Sequence, residues 1–249
     1  MGLSVRKLLN SWLRTSGYEI ARTNRKKPTN IDLRPVIGAL AAQSDISSRL
    51  TLVQVGANDG ITKDPVASAA KQYADVIVLI EPQQNLISRL RQNYADYEGD
   101  LRIKNIAVSK ESHATLYMVS PDLHGKYVAR KGSDPAGVAS FDREHVEKHL
   151  ARLSLGEMAS AIVAQEVECL TLDRLIRDEA IKSPVFLQVD CEGYDWEVLQ
   201  TLGGWRPEII NFEAEHLDGD SLKESVGWLR AEGYTLYFHN PDCLAIRHR

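Results

Sequence analysis

Cysteine is scarce: Cys169, Cys191 and Cys243 are the only three among 249 residues. They lie far apart and form no Cys-x-x-Cys pair, which argues against a zinc cluster or a disulfide framework and suits a reducing cytoplasm. There is no run of about 18 apolar residues, so no membrane-spanning helix is expected. The N-terminal segment is basic but lacks a continuous apolar core and a small-residue cleavage site, and does not read as a signal peptide. Strong charge of one sign is also missing. The net charge of −4 gives no reason to expect a nucleic-acid partner for the chain as a whole. No internal repeat is visible.

What is present suits a soluble globular protein: 43% hydrophobic and 26% charged residues. The length allows one large α/β domain with an N-terminal extension. Residues 1–27 carry seven Arg and Lys against Glu19 alone, a local balance of +6, which leaves the remainder acidic. Within them Val5, Leu8, Leu9, Trp12 and Leu13 recur at helical spacing, predicting a basic amphipathic helix over 3–14. Such a helix could lie on an anionic membrane surface, dock on a partner or pack on its own domain. A polar linker over 23–30 and a helix over 33–43 complete an extension of residues 1–50, followed by one domain over 51–249.

From Leu52 onward, short apolar runs alternate with helical patterns. Strands are predicted over 52–55, 76–80, 101–108, 114–119, 185–189 and 209–212. Helices are predicted over 66–73, 86–94, 142–153, 172–178, 195–202 and 221–232. Residues 121–137 show no period and read as a long loop within an insertion around 120–168. Two final strands, 235–238 and 243–246, flank the turn former Asn240-Pro241-Asp242. Strands that are apolar throughout indicate a mainly parallel sheet covered on both faces, here seven-stranded with an antiparallel edge.

The strongest local signal is Val53-Gln54-Val55-Gly56-Ala57-Asn58-Asp59-Gly60, a buried strand entering a turn of glycine and small residues. Such a turn lets a ligand approach the backbone at the carboxyl end of the strand. The next strand ends in Ile80-Glu81-Pro82, with Glu81 21 positions after Gly60. A carboxylate there can accept from ribose hydroxyls. A dinucleotide site requires Gly-x-Gly-x-x-Gly so that a helix N-terminus meets a pyrophosphate. Here the third glycine is missing and Asp59 adds negative charge, which favours the cations of S-adenosylmethionine and repels a pyrophosphate.

These pieces closely resemble the FkbM-type methyltransferase family. The matching motifs are Val55-Gly56-Ala57-Asn58-Asp59-Gly60, Glu81-Pro82-Gln83, Asn105-Ile106-Ala107-Val108-Ser109 and Leu170-Thr171-Leu172-Asp173. Val189-Asp190-Cys191-Glu192-Gly193-Tyr194-Asp195 and Ile209-Ile210-Asn211-Phe212-Glu213 follow in the family's order, over about residues 50–239. The resemblance implies a Rossmann-like class I methyltransferase fold with S-adenosylmethionine as cofactor. It further implies O-methylation of a sugar, glycan or related natural product, as in polysaccharide biosynthesis. By motif position, Gly56, Ala57, Asn58, Asp59 and Gly60 would surround the methionine part, and Glu81 with Pro82 would hold the ribose. Asn105, Ile106 and Ala107 would lie near the adenine, and Asp190 and Glu192 would face the methyl-transfer region. Asp59 stands where the family more often has an apolar residue. Thr62-Lys63-Asp64-Pro65 also departs from the usual continuation, and the first 50 residues and the 120–168 insertion have no firm match.

Methyl transfer to an alcohol needs in-line alignment and a group to take the proton, or a metal. Asp190 and Glu192 follow a buried strand at the edge where ligands bind, though either could cap the next helix. His216 could be the base with Glu213 orienting it, and Asp190 with Glu213 could hold a hard divalent cation. Glu215 adds charge beside them. His145 and His149 share a helix face and could line an acceptor pocket, or be ordinary helix residues. Cys191 lies among acids that would raise its pKa, against a nucleophilic role. The competing readings are an NAD-dependent oxidoreductase and a non-catalytic scaffold that keeps the fold. A cytoplasmic location, with contact at the inner membrane surface through the N-terminal helix, is expected; the oligomeric state, a homo-oligomer included, stays open.

Overall fold

The computed structural model describes residues 31–43, 49–132, 134–155, 161–239 and 241–248. The predicted helix over 3–14 and linker over 23–30 lie outside them, as does Asn240 of the final turn. Among the described residues, no helix is long and apolar enough to cross a membrane.

The main sheet is built from β1 (Thr51–Val55), β2 (Val76–Ile80), β3 (Asp100–Lys104), β7 (Val185–Val189), β8 (Ile209–Glu213), β9 (Tyr234–His239) and β10 (Asp242–Arg247). Its order is β3-β2-β1-β7-β8-β10-β9. The first five strands run parallel, and β10 pairs antiparallel with both β8 and β9. Every residue of β1, β2 and β7 is buried, the pattern of central parallel strands covered on both faces. On one face Val53, Val78, Leu187 and Phe212 join a core with Leu172, Trp196 and Leu229; on the other, Leu52, Ile77 and Phe186 pack with Leu33, Ile37 and Val66. Each such aliphatic side chain, fully buried, contributes about 1.5–3 kcal/mol.

The covering helices are α1 (Leu33–Ala42), α2 (Ala67–Tyr73), α3 (Ile87–Asn93), α6 (Leu172–Asp178), α7 (Asp195–Leu199) and α8 (Gly219–Ala231). Several start at a side chain that accepts from the first turn: Asp32 from Arg34 N, Thr171 from Arg174 N, and Asp218 from the N–H groups of Asp220 and Ser221.

A second sheet, order β4-β6-β5, joins β4 (Ala107–Val108), β5 (His113–Val119) and β6 (Ile162–Leu170). Between β5 and β6 lie α4 (His124–Lys131) and α5 (Arg143–Arg152). Two sequence expectations change here. The strand predicted over 101–108 is two strands, because Asn105 leaves the ladder and its amide donates to the carbonyls of Glu81 and Pro82 at 2.9 and 3.0 Å. The loop predicted over 121–137 contains α4, flanked by 3₁₀ turns over Pro121–Leu123 and Pro135–Val138. Tyr127 of α4 is 1% exposed, packed in a local core with Val119, Val138, Val146 and Leu150. That core brings α5 to the carboxyl edge of the main sheet.

Candidate functional site

A cavity of about 430 Å³ opens at the carboxyl ends of β1, β2 and β7, within the range of small-molecule sites. The turn after β1 forms one wall. Gly56 has φ +78°, and a Cβ there would lie 1.9 Å from the Asp190 carbonyl oxygen, so only glycine fits. The N–H groups of Gly56 and Ala57 both donate to Ile80 O at 3.0 Å, locking the turn to β2. Gly56, Ala57 and Asn58 line the cavity, whereas Asp59 and Gly60 lie behind the wall.

Glu81, at the end of β2, is buried at 2% exposure. Its carboxylate accepts from the backbone N–H groups of Asn58 and Gln83, each at 2.8 Å. Burial pushes it up to about 6 against the pull of those two bonds. Pro82 and Ala107 also line the cavity. Asn105 and Ile106 do not: Asn105 braces the end of β2 through the two carbonyls already described, and Ile106 packs on the core.

Asp59 does not supply the cavity with charge. Its carboxylate accepts from Ile61 N (3.0 Å), Thr62 N (2.7 Å) and Thr62 Oγ1 (2.7 Å), and pairs with Arg89 at 2.9 Å. Burial raises its pKa, but these partners outweigh burial and hold it below the ordinary value. The negative wall comes instead from Glu81, Asp64 and Asp190.

The opposite end gathers acids and histidines from β7, β8 and α5. Asp190 faces the cavity, and burial among protein atoms, followed by Glu213 and Glu192, pushes it up to about 7. Glu192 (φ +50°) is also pushed up to about 7, by burial and then by Glu213. His216 Nδ1 is bonded to Glu213 Oε2 at 2.9 Å and lies 3.6 Å from Glu192 Oε2. Burial pulls the His216 imidazolium down, yet Glu213, Glu192 and Glu215 together raise it. Glu213 is itself raised, burial outweighing His216. Glu215 is exposed and does not line the cavity.

His145 and His149 both line the cavity. The His145 ring lies 6.0 Å from that of His216, and its Nε2 is buried without a hydrogen-bond partner among the described residues. His149 Nε2 pairs with the Tyr127 hydroxyl at 2.7 Å. Burial lowers both imidazoles below the ordinary value, with His216 and Lys131 as their respective next causes. Cys191 lines the cavity with its thiol pushed well up by burial and by Asp195 and Asp190, so it stays protonated.

Four side chains at the site were not among the candidates read from the sequence. Gln54 and Asp64 line the cavity, Gln83 ties the 3₁₀ turn over Pro135–Val138 to β2 by donating to Ala136 O at 3.0 Å, and Asp195 braces the β7 and β8 ends. A polar residue inside an otherwise apolar β1 was the one available signal, at Gln54. The site fits S-adenosylmethionine by its own geometry: a turn bared of Cβ at Gly56, a buried carboxylate at the second strand end, and acids suited to a cation.

No curated protein matches the chain closely enough to count as a relative. Among solved structures, a methyltransferase FkbM from Methylobacillus flagellatus KT is 14% identical, covering 80% of this chain and 43% of that chain, with a TM-score of 0.44. The chain thus spans less than half the length of that protein. Precorrin-6y C5,15-methyltransferase from Geobacter metallireducens GS-15 is 14% identical over 91% of this chain and 93% of that chain, TM-score 0.42. An rRNA methylase from Streptococcus thermophilus is 9% identical over 92% of this chain and 100% of that chain, TM-score 0.43. The methyltransferase FkbM domain matches residues 54–236, which is most of the chain. With that match, the chain belongs to the FkbM methyltransferase domain family and is an S-adenosylmethionine-dependent methyltransferase.

Proposed function

We propose that the protein methylates a hydroxyl oxygen of a sugar, glycan or related natural product. The observation that carries this reading is the Glu213–His216 pair at 2.9 Å, with His216 at the cavity wall. Nδ1 is held by the carboxylate, which leaves Nε2 as the acceptor for a proton. S-adenosylmethionine, when bound, supplies an electrophilic methyl on a sulfonium, so that an O–C bond forms as the C–S bond breaks. His216 Nε2 takes the hydroxyl proton, and Glu213 and Glu192 stabilise the imidazolium that results. Glu81 would accept from the ribose hydroxyls, and Asp190 would offset the cofactor's positive charge. His145, His149 and the 3₁₀ turn over Pro135–Val138 would shape the acceptor side of the cavity and exclude water. Family membership removes the oxidoreductase as a competitor, and the histidine–carboxylate pair favours an enzyme over a scaffold.

The test is a panel of sugar and glycan acceptors assayed for methyl transfer, with the methylated position found by mass spectrometry and NMR. Transfer to nitrogen or to RNA, with no transfer to any hydroxyl, would overturn the proposal.

A second reading has a divalent cation activate the hydroxyl. Its support is that Glu192, Glu213 and His216 each offer a ligand atom, all within 4.8 Å of one another. Asp190, paired with Glu213 in the sequence reading, is not part of this group. Loss of activity in EDTA, restored by Mg²⁺ or Mn²⁺, would favour the cation; full activity in EDTA leaves His216 as the base.

A further inference from the structure

The insertion between β5 and β6 brings charge of its own to the cavity. Lys131 ends α4 and Arg152 ends α5; both are exposed and both line the cavity. Neither side chain has an ion pair among the described residues. The other cations of α5 are neutralised on its surface, Arg143 by Glu147 at 2.8 Å and Lys148 by Glu144 at 3.0 Å. Asp134, three residues after Lys131 and also at the cavity, is taken by Arg89 at 3.2 Å. Two cations are thus left without a counter-ion at the rim of a cavity whose other acids gather elsewhere.

Both act on one histidine. Burial lowers the His149 imidazole first, and Lys131, then His145 and Arg152, lower it further. Its Nε2 is fixed on the Tyr127 hydroxyl at 2.7 Å. His145, one helical turn before His149, has its Nε2 buried without a partner among the described residues, and its ring lies 6.0 Å from that of His216. One turn separates such residues by about 5–6 Å, so the basic rim lies on the order of 10 Å from His216. That is the reach of a sugar ring carrying a charged substituent. Guanidinium and ammonium groups recognise the oxygens of phosphates and carboxylates. Asp190, Glu192 and Glu213 repel such an anion from the far end, so the field of the cavity sets which way round the acceptor enters.

We propose that the acceptor sugar carries a phosphate or carboxylate group, which Lys131 and Arg152 receive while its hydroxyl meets His216. The inference rests on the reading that a saccharide hydroxyl is methylated at His216, and deepens it by naming the charge of the acceptor.

NMR titration of the protein saturated with S-adenosylhomocysteine tests it, following the imidazole signals of His145 and His149. The probes are pyrophosphate, glucuronate and uncharged glucose. The wild-type protein should bind at least one of the two anions about 10–100-fold more tightly than glucose, the range of charge-assisted hydrogen bonds. Lys131→Gln combined with Arg152→Gln should erase that preference, and Lys148→Gln, on the neutralised surface of α5, should keep it. Unchanged S-adenosylhomocysteine affinity in both variants is the control for folding. A response to pyrophosphate alone assigns a phosphate and a response to glucuronate alone a carboxylate; either supports the proposal. Glucose bound as well as both anions, or an anion preference that survives in the double variant, would overturn it. So would a short RNA oligonucleotide that shifts His149 where neither small anion does. Methyl transfer to uncharged sugars only, with no anion preference, would overturn this inference and keep the hydroxyl reading. An anion preference lost in the double variant, beside transfer only to nitrogen, would overturn the hydroxyl reading and keep the anion subsite.

Discussion

Asp195 Oδ1 accepts the backbone N–H of Glu213 at 3.1 Å, while its Oδ2 accepts that of Cys191 at 3.2 Å. One fully buried carboxylate thereby ties the loop after β7 to the end of β8. The link sets Asp190 and Glu192 against Glu213 and His216. Burial and the like charges of Asp190 and Glu213 hold its pKa well above the ordinary value. Asp195→Ala would leave two buried N–H groups unpaired and should cost about 2–4 kcal/mol of stability. Urea denaturation measures this, and a loss below about 0.5 kcal/mol would show that the bridge does not hold the two strand ends.

His216→Gln should lower kcat by about 10²–10⁴-fold, the range for loss of a general base, and leave S-adenosylhomocysteine affinity within about twofold. The base must be neutral to act, so the wild-type rate should rise with pH through a pKa above the ordinary histidine value of 6.5. Glu213→Gln removes the main charge that raises it, and the limb should move to lower pH. A pH–rate profile that is the same in both proteins would exclude His216 as the base.

Gly56→Ala should abolish cofactor binding. The new Cβ would lie 1.9 Å from Asp190 O at a φ of +78°, so the turn or the β7 end must shift. A variant that binds S-adenosylhomocysteine as tightly as the wild type, by calorimetry, would contradict the geometry of the turn.

Glu81→Ala should weaken S-adenosylhomocysteine by about 10–100-fold, through loss of the ribose acceptor. It also leaves the Asn58 and Gln83 N–H groups without their carboxylate. Glu81→Gln keeps one acceptor oxygen and should fall between. Unchanged affinity in the alanine variant would remove Glu81 from the cofactor site.

Asp190 has a native pKa raised to about 7, far above its unfolded value. Between the two values the native state holds a proton that the unfolded state has lost, so this group's contribution to stability falls as pH rises from about 4 to about 7. Asp190→Asn should therefore be more stable than the wild type at pH 8, by about 1 kcal/mol once solvent screening is allowed for. The advantage should vanish at pH 4. An Asn variant less stable at pH 8, in thermal unfolding without cofactor, would contradict the raised pKa of this carboxylate.

The parts of this protein legible from sequence are those whose signal is local. β2 is an unbroken apolar run, and β1 and β7 are mostly apolar, because both their faces are covered; the Gly56 turn declares itself because no other residue tolerates its backbone. The acids at 81, 190, 192 and 213 were visible for a related reason: each follows a buried strand at the ligand edge. α4 was read as a loop because its buried contact is one residue, Tyr127, whose partners lie on β5, α5 and the intervening turn. β6 was not recognised because its burial is irregular and its pairing partners, β4 and β5, lie far back in the chain.

The direction of side chains was settled by tertiary contacts. From sequence, Asp59 was expected to face the ligand; Arg89, from α3, and the Thr62 hydroxyl turn it inward. Asp190 and Glu213 were paired for a cation from sequence, whereas the ligand atoms that lie within 4.8 Å of one another are those of Glu192, Glu213 and His216. Sequence determined the strand runs, the glycine turn and the order of the strand-end acids, since backbone sterics and burial act over a few residues. Which of those acids meet, and which are neutralised, depended on distant strands brought side by side, because charge interactions follow distance in space and take no account of separation along the chain.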